Sequence, residues 1–131
     1  MKEVLLYLHQ LPQNLLGLLV IFFTKARYND IDYRKKDNHW ISHKYRFGVS
    51  LGKYIIFGGS VTLISLKHEQ GHQKQSLYLG WLYLLVVGLP SIIRNIWDRI
   101  AHKNWSREAR LKWYYSGYPE HQADILGEVQ R

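Results

Sequence analysis

The chain has 131 residues, with 18 Lys and Arg against 10 Asp and Glu, a net charge of +8 and no cysteine. That length makes one domain with room for a single core. The lack of cysteine excludes disulfides and thiolate metal ligands. The positive balance favours anionic partners, whether lipid or substrate, and does not bear on fold.

Residues 1–24 form an apolar segment that reads as helical. No charge falls between Val4 and Thr24, although His9, Gln10, Pro12, Gln13 and Asn14 interrupt the run. Lys2 is a thin positive region and no small-x-small cleavage site follows, so a secretory signal is a poor fit. Pro12 marks where two short helices meet. Leu5, Leu8, Leu15, Leu16, Leu18, Leu19, Ile21, Phe22 and Phe23 serve either to dock a helix on the domain or to dip it into lipid, and anchoring in a membrane is the favoured reading.

Residues 25–46 are basic and aromatic, with Tyr28, Tyr33, Trp40 and Tyr45 interleaved among Lys25, Arg27, Arg34, Lys35, Lys36, Lys44 and Arg46. No phosphate loop, zinc finger or recognition-helix pattern accompanies them, so no nucleic acid is expected. An anionic membrane surface suits them better, at about 1 kcal/mol per basic residue. His39 and His43 read as surface residues.

Residues 47–74 hold the chemistry. Gly48 to Phe57 has the β-branched and aromatic content of a strand and breaks at Gly58-Gly59. His68-Glu69-Gln70-Gly71-His72 then places two imidazoles one turn apart on a helix face. That spacing lets both reach one tetrahedral Zn²⁺. Glu69 points about 100° around the helix, so it can act as the base toward an activated water without ligating. Gly71 allows another backbone to approach the helix closely. A strand leading into this helix is the order expected where a substrate pairs along a sheet edge beside the metal.

Residues 75–104 predict an apolar helical hairpin. Nineteen residues from Gln75 to Ile93 carry no charge, near the length of a bilayer span, but Gly88-Leu89-Pro90-Ser91 interrupts them. Pro90 disfavours helix at Leu89, and Ser91 suits the N-cap of a following helix through Ile92, Ile93, Ile96 and Ile100. A straight crossing would split the basic residues across the membrane, whereas a re-entrant or interfacial hairpin keeps them on one side.

Residues 105–131 predict a basic helix capped by Ser106 and a second helix that carries the remaining metal ligand, with a frayed tail after Leu126. Without cysteine, the third ligand must be His, Asp or Glu. Glu120 and Asp124 share a face at i, i+4 behind Pro119. Glu120 can ligate while Asp124 accepts the second ring N–H of a ligating His, and His121 or Asp124 are the other candidate ligands.

H-E-x-x-H followed by E-x-x-x-D resembles the gluzincin group of zinc metallopeptidases. The GVSLGKYI segment, the KHEQGH helix and the YLLVVGLPS stretch are also similar to a pattern in small bacterial proteins. The gluzincin resemblance implies His68, His72 and Glu120 as ligands, Glu69 as general base and Asp124 as the orienting carboxylate. The 48 positions from His72 to Glu120 exceed the connection typical of soluble gluzincins. Tyr114, Tyr115, Tyr118 and His121 lie near the third ligand in sequence, and Tyr118 and His121 are carried forward as oxyanion donors.

The expectation is therefore an α+β, helix-rich, minimal zincin-like domain, with a short sheet beside the metal helix and apolar membrane-associated or re-entrant helices. It would lie on the cytoplasmic face of the cell membrane and hydrolyse a peptide or protein substrate with zinc. The alternative is a membrane-surface adaptor with a structural metal or none. A His₂-carboxylate set also suits Fe(II), Mn or Co.

Overall fold

The computed structural model describes residues 1–29 and 39–131. The part of the basic segment from 30 to 38, including Tyr33, Arg34, Lys35 and Lys36, lies outside the described residues. The remainder is α+β. Helices α1 (Lys2–His9) and α2 (Leu11–Thr24) lead to strands β1 (Arg27–Asn29), β2 (His39–Ser42), β3 (Gly48–Leu51) and β4 (Tyr54–Gly58). Helices α3 (Leu63–Leu79), α4 (Leu89–Ala101), α5 (Arg107–Tyr115) and α6 (Glu120–Leu126) follow.

The stretch expected as one strand, Gly48 to Phe57, is a hairpin. Gly52 adopts φ +62 and turns the chain, a conformation open to glycine and strained for most other residues. β3 then pairs antiparallel with β4, Val49 opposite Ile56. β4 runs parallel to β2, and β2 antiparallel to β1, giving the order β1-β2-β4-β3. Among the described residues β3 is thus an edge strand. Ile55, Phe57 and Leu66, with Val61 against them, form a small core between the sheet and α3. His39, expected at the surface, is instead buried, with its ring edge-on to Phe57. Its place on β2 beside β4 draws it inward.

α3 starts at a capping box in which the Thr62 hydroxyl accepts from the Ser65 amide and Ser65 Oγ accepts from the Thr62 amide. Its far end tightens into a 3₁₀ turn at Gly80–Leu82 and a π turn at Leu84–Gly88 before α4, so the two helices are bent by 120°. α1 and α2 are bent by 83°, with Pro12 in the first turn of α2. Among the described residues no single helix is long and apolar enough to cross a membrane. Ser91 does not cap α4 as expected. The helix begins at Leu89, because a proline in the first turn sacrifices no intrahelical bond, and the Ser91 hydroxyl is left free for another partner.

The helices are packed with their polar sides inward. The buried residues of α2 are Gln13, Asn14 and Gly17, while Leu15, Leu18, Leu19, Phe22 and Phe23 are exposed. α4 turns Ser91, Arg94, Asn95 and Asp98 toward the protein, and leaves Leu89, Ile92, Ile93, Ile96, Trp97 and Ile100 facing out at 48 to 67% exposure. Hydrogen bonds join the inward groups: Gln13 donates to Ser76 Oγ and to the Gly80 carbonyl, both at 2.9 Å, and Ser76 donates to Gln10 at 2.6 Å. Exposed leucines are common singly; a continuous outward apolar face over a polar, hydrogen-bonded interior is not.

Candidate metal centre

Two glycines bring the chemistry together. A Cβ on Gly71 would lie 1.8 Å from the Ala123 carbonyl oxygen, and one on Gly127 would lie 2.0 Å from that of Lys67. α3 and α6 therefore meet backbone to backbone, the close approach expected at Gly71. This contact carries Glu120 and Asp124, 48 and 56 positions from their partners, onto His72 and His68.

His68 Nε2 lies 2.9 Å and His72 Nε2 3.0 Å from the same atom, Glu120 Oε2. The candidate ligand atoms of the three side chains all lie within 4.8 Å of one another, and all three residues are buried. His68 Nδ1 is 2.7 Å from Asp124 Oδ1, and His72 Nδ1 is 2.6 Å from Gln75 Oε1. Gln75 donates its amide nitrogen to the Pro119 carbonyl and to Gln122 Oε1, which fixes its oxygen toward His72. A carboxylate and an amide oxygen only accept, so both Nδ1 atoms carry protons. In the neutral tautomer each Nε2 then presents a lone pair to a carboxylate oxygen.

Three acceptor atoms around one point demand positive charge between them. Imidazole protons can supply it, and His72 responds in that direction: burial alone would lower its pKa, but the contact with Glu120 and the nearby Glu69 charge raise it. Burial likewise opposes charge on Glu120, yet its bonds to His68 and His72 hold its carboxyl well below the usual range. A divalent cation meets the same demand. Nitrogen, nitrogen and oxygen donors are the set zinc takes when a position is left open, so the residues present fit that ion.

The other oxygen of Glu120 is held elsewhere. Ser91 Oγ and, at 3.1 Å, Tyr114 OH donate to Glu120 Oε1, leaving Oε2 as the free donor atom. Asp124 is itself gripped by Arg131, whose Nε donates to Oδ2 at 2.7 Å and whose guanidinium lies 3.3 Å from the centre of the Tyr115 ring. The tail expected to fray is therefore tied back onto the site.

Glu69 faces the same space. It is 7% exposed, and its Oε2 is buried with no hydrogen-bond partner. Desolvation pushes its pKa up, more than the charges of His72 and His68 pull it down. A cavity of about 590 Å³ joins these groups, lined by His68, Glu69, His72, Glu120, Tyr114 and Tyr115 on one side and by Phe47 to Leu51 of the β3 edge on another. A Cβ on Gly48 would come within 3.1 Å of Glu69 Oε1, so the edge strand runs directly past this carboxylate.

Tyr118 and His121 do not line this cavity. Tyr118 donates to the Val86 carbonyl at 2.8 Å and His121 is exposed, because α6 presents the face of Glu120 and Asp124 to α3 and turns His121 outward. Tyr114 and Tyr115, which the sequence left unchosen beside them, line the cavity instead. Gln75, Ser91 and Tyr83 went unread as site residues. Gln75 had a readable signal, lying three positions after His72 on the same helical face; Ser91 and Tyr83 had none. Comparison with protein-family models, curated proteins and solved structures finds no match.

Proposed function

We propose that this chain is a membrane-associated zinc peptidase of gluzincin type. The observation that carries the reading is the convergence of two Nδ1-protonated histidines on one carboxylate oxygen, with a buried, unpartnered glutamate beside them. A zinc ion held by His68, His72 and Glu120 would supply Lewis acidity, bringing the pKa of its water near 7 and polarising a carbonyl. Asp124 and Gln75 hold the two imidazoles in the ligating tautomer. Glu69 removes a proton from the attacking water and returns it to the leaving amine nitrogen, a role typically contributing about 10²- to 10⁴-fold. Its raised proton affinity suits that exchange.

β3 offers the seat for the peptide. The alternation of an antiparallel ladder turns the backbone groups of Gly48 and Ser50 away from β4. Tyr83 takes the Ser50 carbonyl at 2.8 Å, and the remaining outward groups are free to pair with an extended chain. The Tyr115 hydroxyl, on the cavity wall, is the candidate donor to a developing oxyanion, since Tyr114 gives its proton to Glu120.

The membrane part of the reading is supported by the inverted packing of α2 and α4. Their outer faces suit hydrocarbon, and polar groups buried between helices replace a hydrophobic core, as in helices packed within lipid. Trp81 and Tyr78 are exposed near the bend after α3, where amphipathic rings favour the interface. Lys2, Lys25, Arg27, Arg99 and Lys103 flank the apolar helices and suit anionic headgroups on the cytoplasmic face. The bends of 83° and 120° make each helix pair a dip into one leaflet.

Elemental analysis of detergent-purified protein tests the proposal. About one zinc per chain is expected, with hydrolysis of peptide by the wild type and none by Glu69→Gln. No stoichiometric metal after zinc reloading would overturn it, and a four-ligand site without hydrolysis would favour the adaptor reading.

A further inference from the structure

The cavity has one wall unlike the others. Besides its polar groups it is lined by Leu16, Leu84, Val87, Leu89 and Ile92. Three of these also face outward, Leu16 at 39%, Leu89 at 48% and Ile92 at 59% exposure. The same side chains therefore belong both to the inner wall of the site and to the outward apolar faces of α2 and α4. Leu16, Leu89 and Ile92 thus place uncharged side chains between the polar centre and that surface, and a mouth on this side would open among exposed leucines and isoleucines.

A soluble, extended peptide entering through such a mouth would strip its backbone of water against leucine and isoleucine, with no compensating hydrogen bond, at a cost of a few kcal/mol for each unpaired amide. A chain already in lipid has met that cost by forming its internal hydrogen bonds. It needs only to unwind at one end, where the outward backbone of Gly48 and Ser50 on β3 can replace what it loses.

Resting on the peptidase reading above, we propose that the substrate is a membrane-inserted polypeptide. It enters from the lipid side between Leu16 of α2 and Leu89 and Ile92 of α4, and its scissile bond lies where an apolar segment gives way to a polar one. The apolar wall receives the lipid-embedded side, and the β3 edge, Glu69 and the metal face the unwound end.

The absence of native cysteine allows a direct test that does not depend on turnover. The full chain, in a Glu69→Gln background so that a bound peptide is not consumed, carries a single Ile92→Cys or Ile100→Cys labelled with a benzophenone. Both positions lie on the outer face of α4, but Ile100 is two turns from the mouth. The probe is a lysine-flanked peptide with a Leu/Ala span of about 20 residues, inserted in phosphatidylcholine–phosphatidylglycerol vesicles. We expect cross-linking from position 92 several-fold above that from position 100, and abolished by Leu89→Lys beside the mouth. Equal yields at the two positions, or none at either while the protein floats with the vesicles, would overturn lipid-side entry. Zinc per chain measured on the same samples reports separately on the metal site, so failure of one idea is distinguishable from failure of the other.

Discussion

Two regions of the molecule use the same three side-chain types and reach different ends. At the candidate metal centre, His68 Nδ1 meets Asp124 at 2.7 Å and Asp124 is gripped by Arg131. At the junction of α4 and α5, His102 Nδ1 meets Asp98 at 3.0 Å, and Asp98 is gripped by Arg110, with Nη2 at 2.8 Å from Oδ2. The difference lies around the rest of each ring. His68 Nε2 points at a second carboxylate, with His72 sharing the same oxygen, on the wall of a cavity. The His102 ring is stacked on Trp105 at 3.8 Å and meets Trp113 edge-on. Orientation by an Asp therefore does not mark a ligand. A second acceptor facing the ring's other nitrogen is what sets the candidate ligand apart.

The comparison breaks first where the convergent atoms are removed. His72→Ala and Glu120→Gln are expected to lose zinc entirely by elemental analysis, whereas His102→Ala keeps it. Metal retained in the first pair would mean that the convergence is a proton-held cluster. Next in size, Glu69→Gln should lower turnover by about 10²- to 10⁴-fold with zinc content unchanged, because in the proposed role Glu69 acts on the water and does not hold the ion. Asp124→Asn sits between the regions in kind. It leaves all three candidate ligands but replaces the carboxylate that accepts the His68 Nδ1 proton with a weaker, uncharged amide acceptor, and zinc affinity measured by chelator competition should weaken about 10- to 100-fold.

The helix carrying His68, Glu69 and His72 was legible in the sequence because its geometry is local: positions 68, 69 and 72 of any helix point as these do. Glu120 and Asp124 were legible as a pair for the same reason, while their meeting with α3 depends on Gly71, where the sequence announces a close approach, and on Gly127, whose role needs the partner backbone to be seen. Ser91 read as a helix cap, because Pro90 before it looked like a break; the π turn that carries the chain into α4 left no pattern. The spacing of Ile92, Ile93, Ile96 and Ile100 announced an apolar stripe. It did not say which way the stripe faces, since a 3.6-residue period is the same toward a core or toward lipid. Here the partners of Ser91, Arg94 and Asp98 decide it.

The smallest expected effect lies in the second region and concerns stability alone. Burial works against a charge on Asp98, but the hydrogen bonds from Arg110 and His102 outweigh it and lower its pKa. A carboxyl lowered in the folded protein adds stability above its unfolded value of about 3.9, and that contribution disappears as pH falls toward the folded value. Asp98→Asn should thus cost about 1–2 kcal/mol near neutral pH, the worth of hydrogen bonds to a charged group, read from thermal unfolding followed by tryptophan fluorescence at Trp105 and Trp113. The gap between variant and wild type should narrow as the pH is taken below 4, because the wild type then loses the same charge. Near neutral pH, zinc content and turnover should match those of the wild type. A loss of metal in Asp98→Asn would mean that the α4–α5 clamp sets the position of Ser91 and Tyr114 on Glu120, and that the two regions, alike in chemistry, are also one in mechanics.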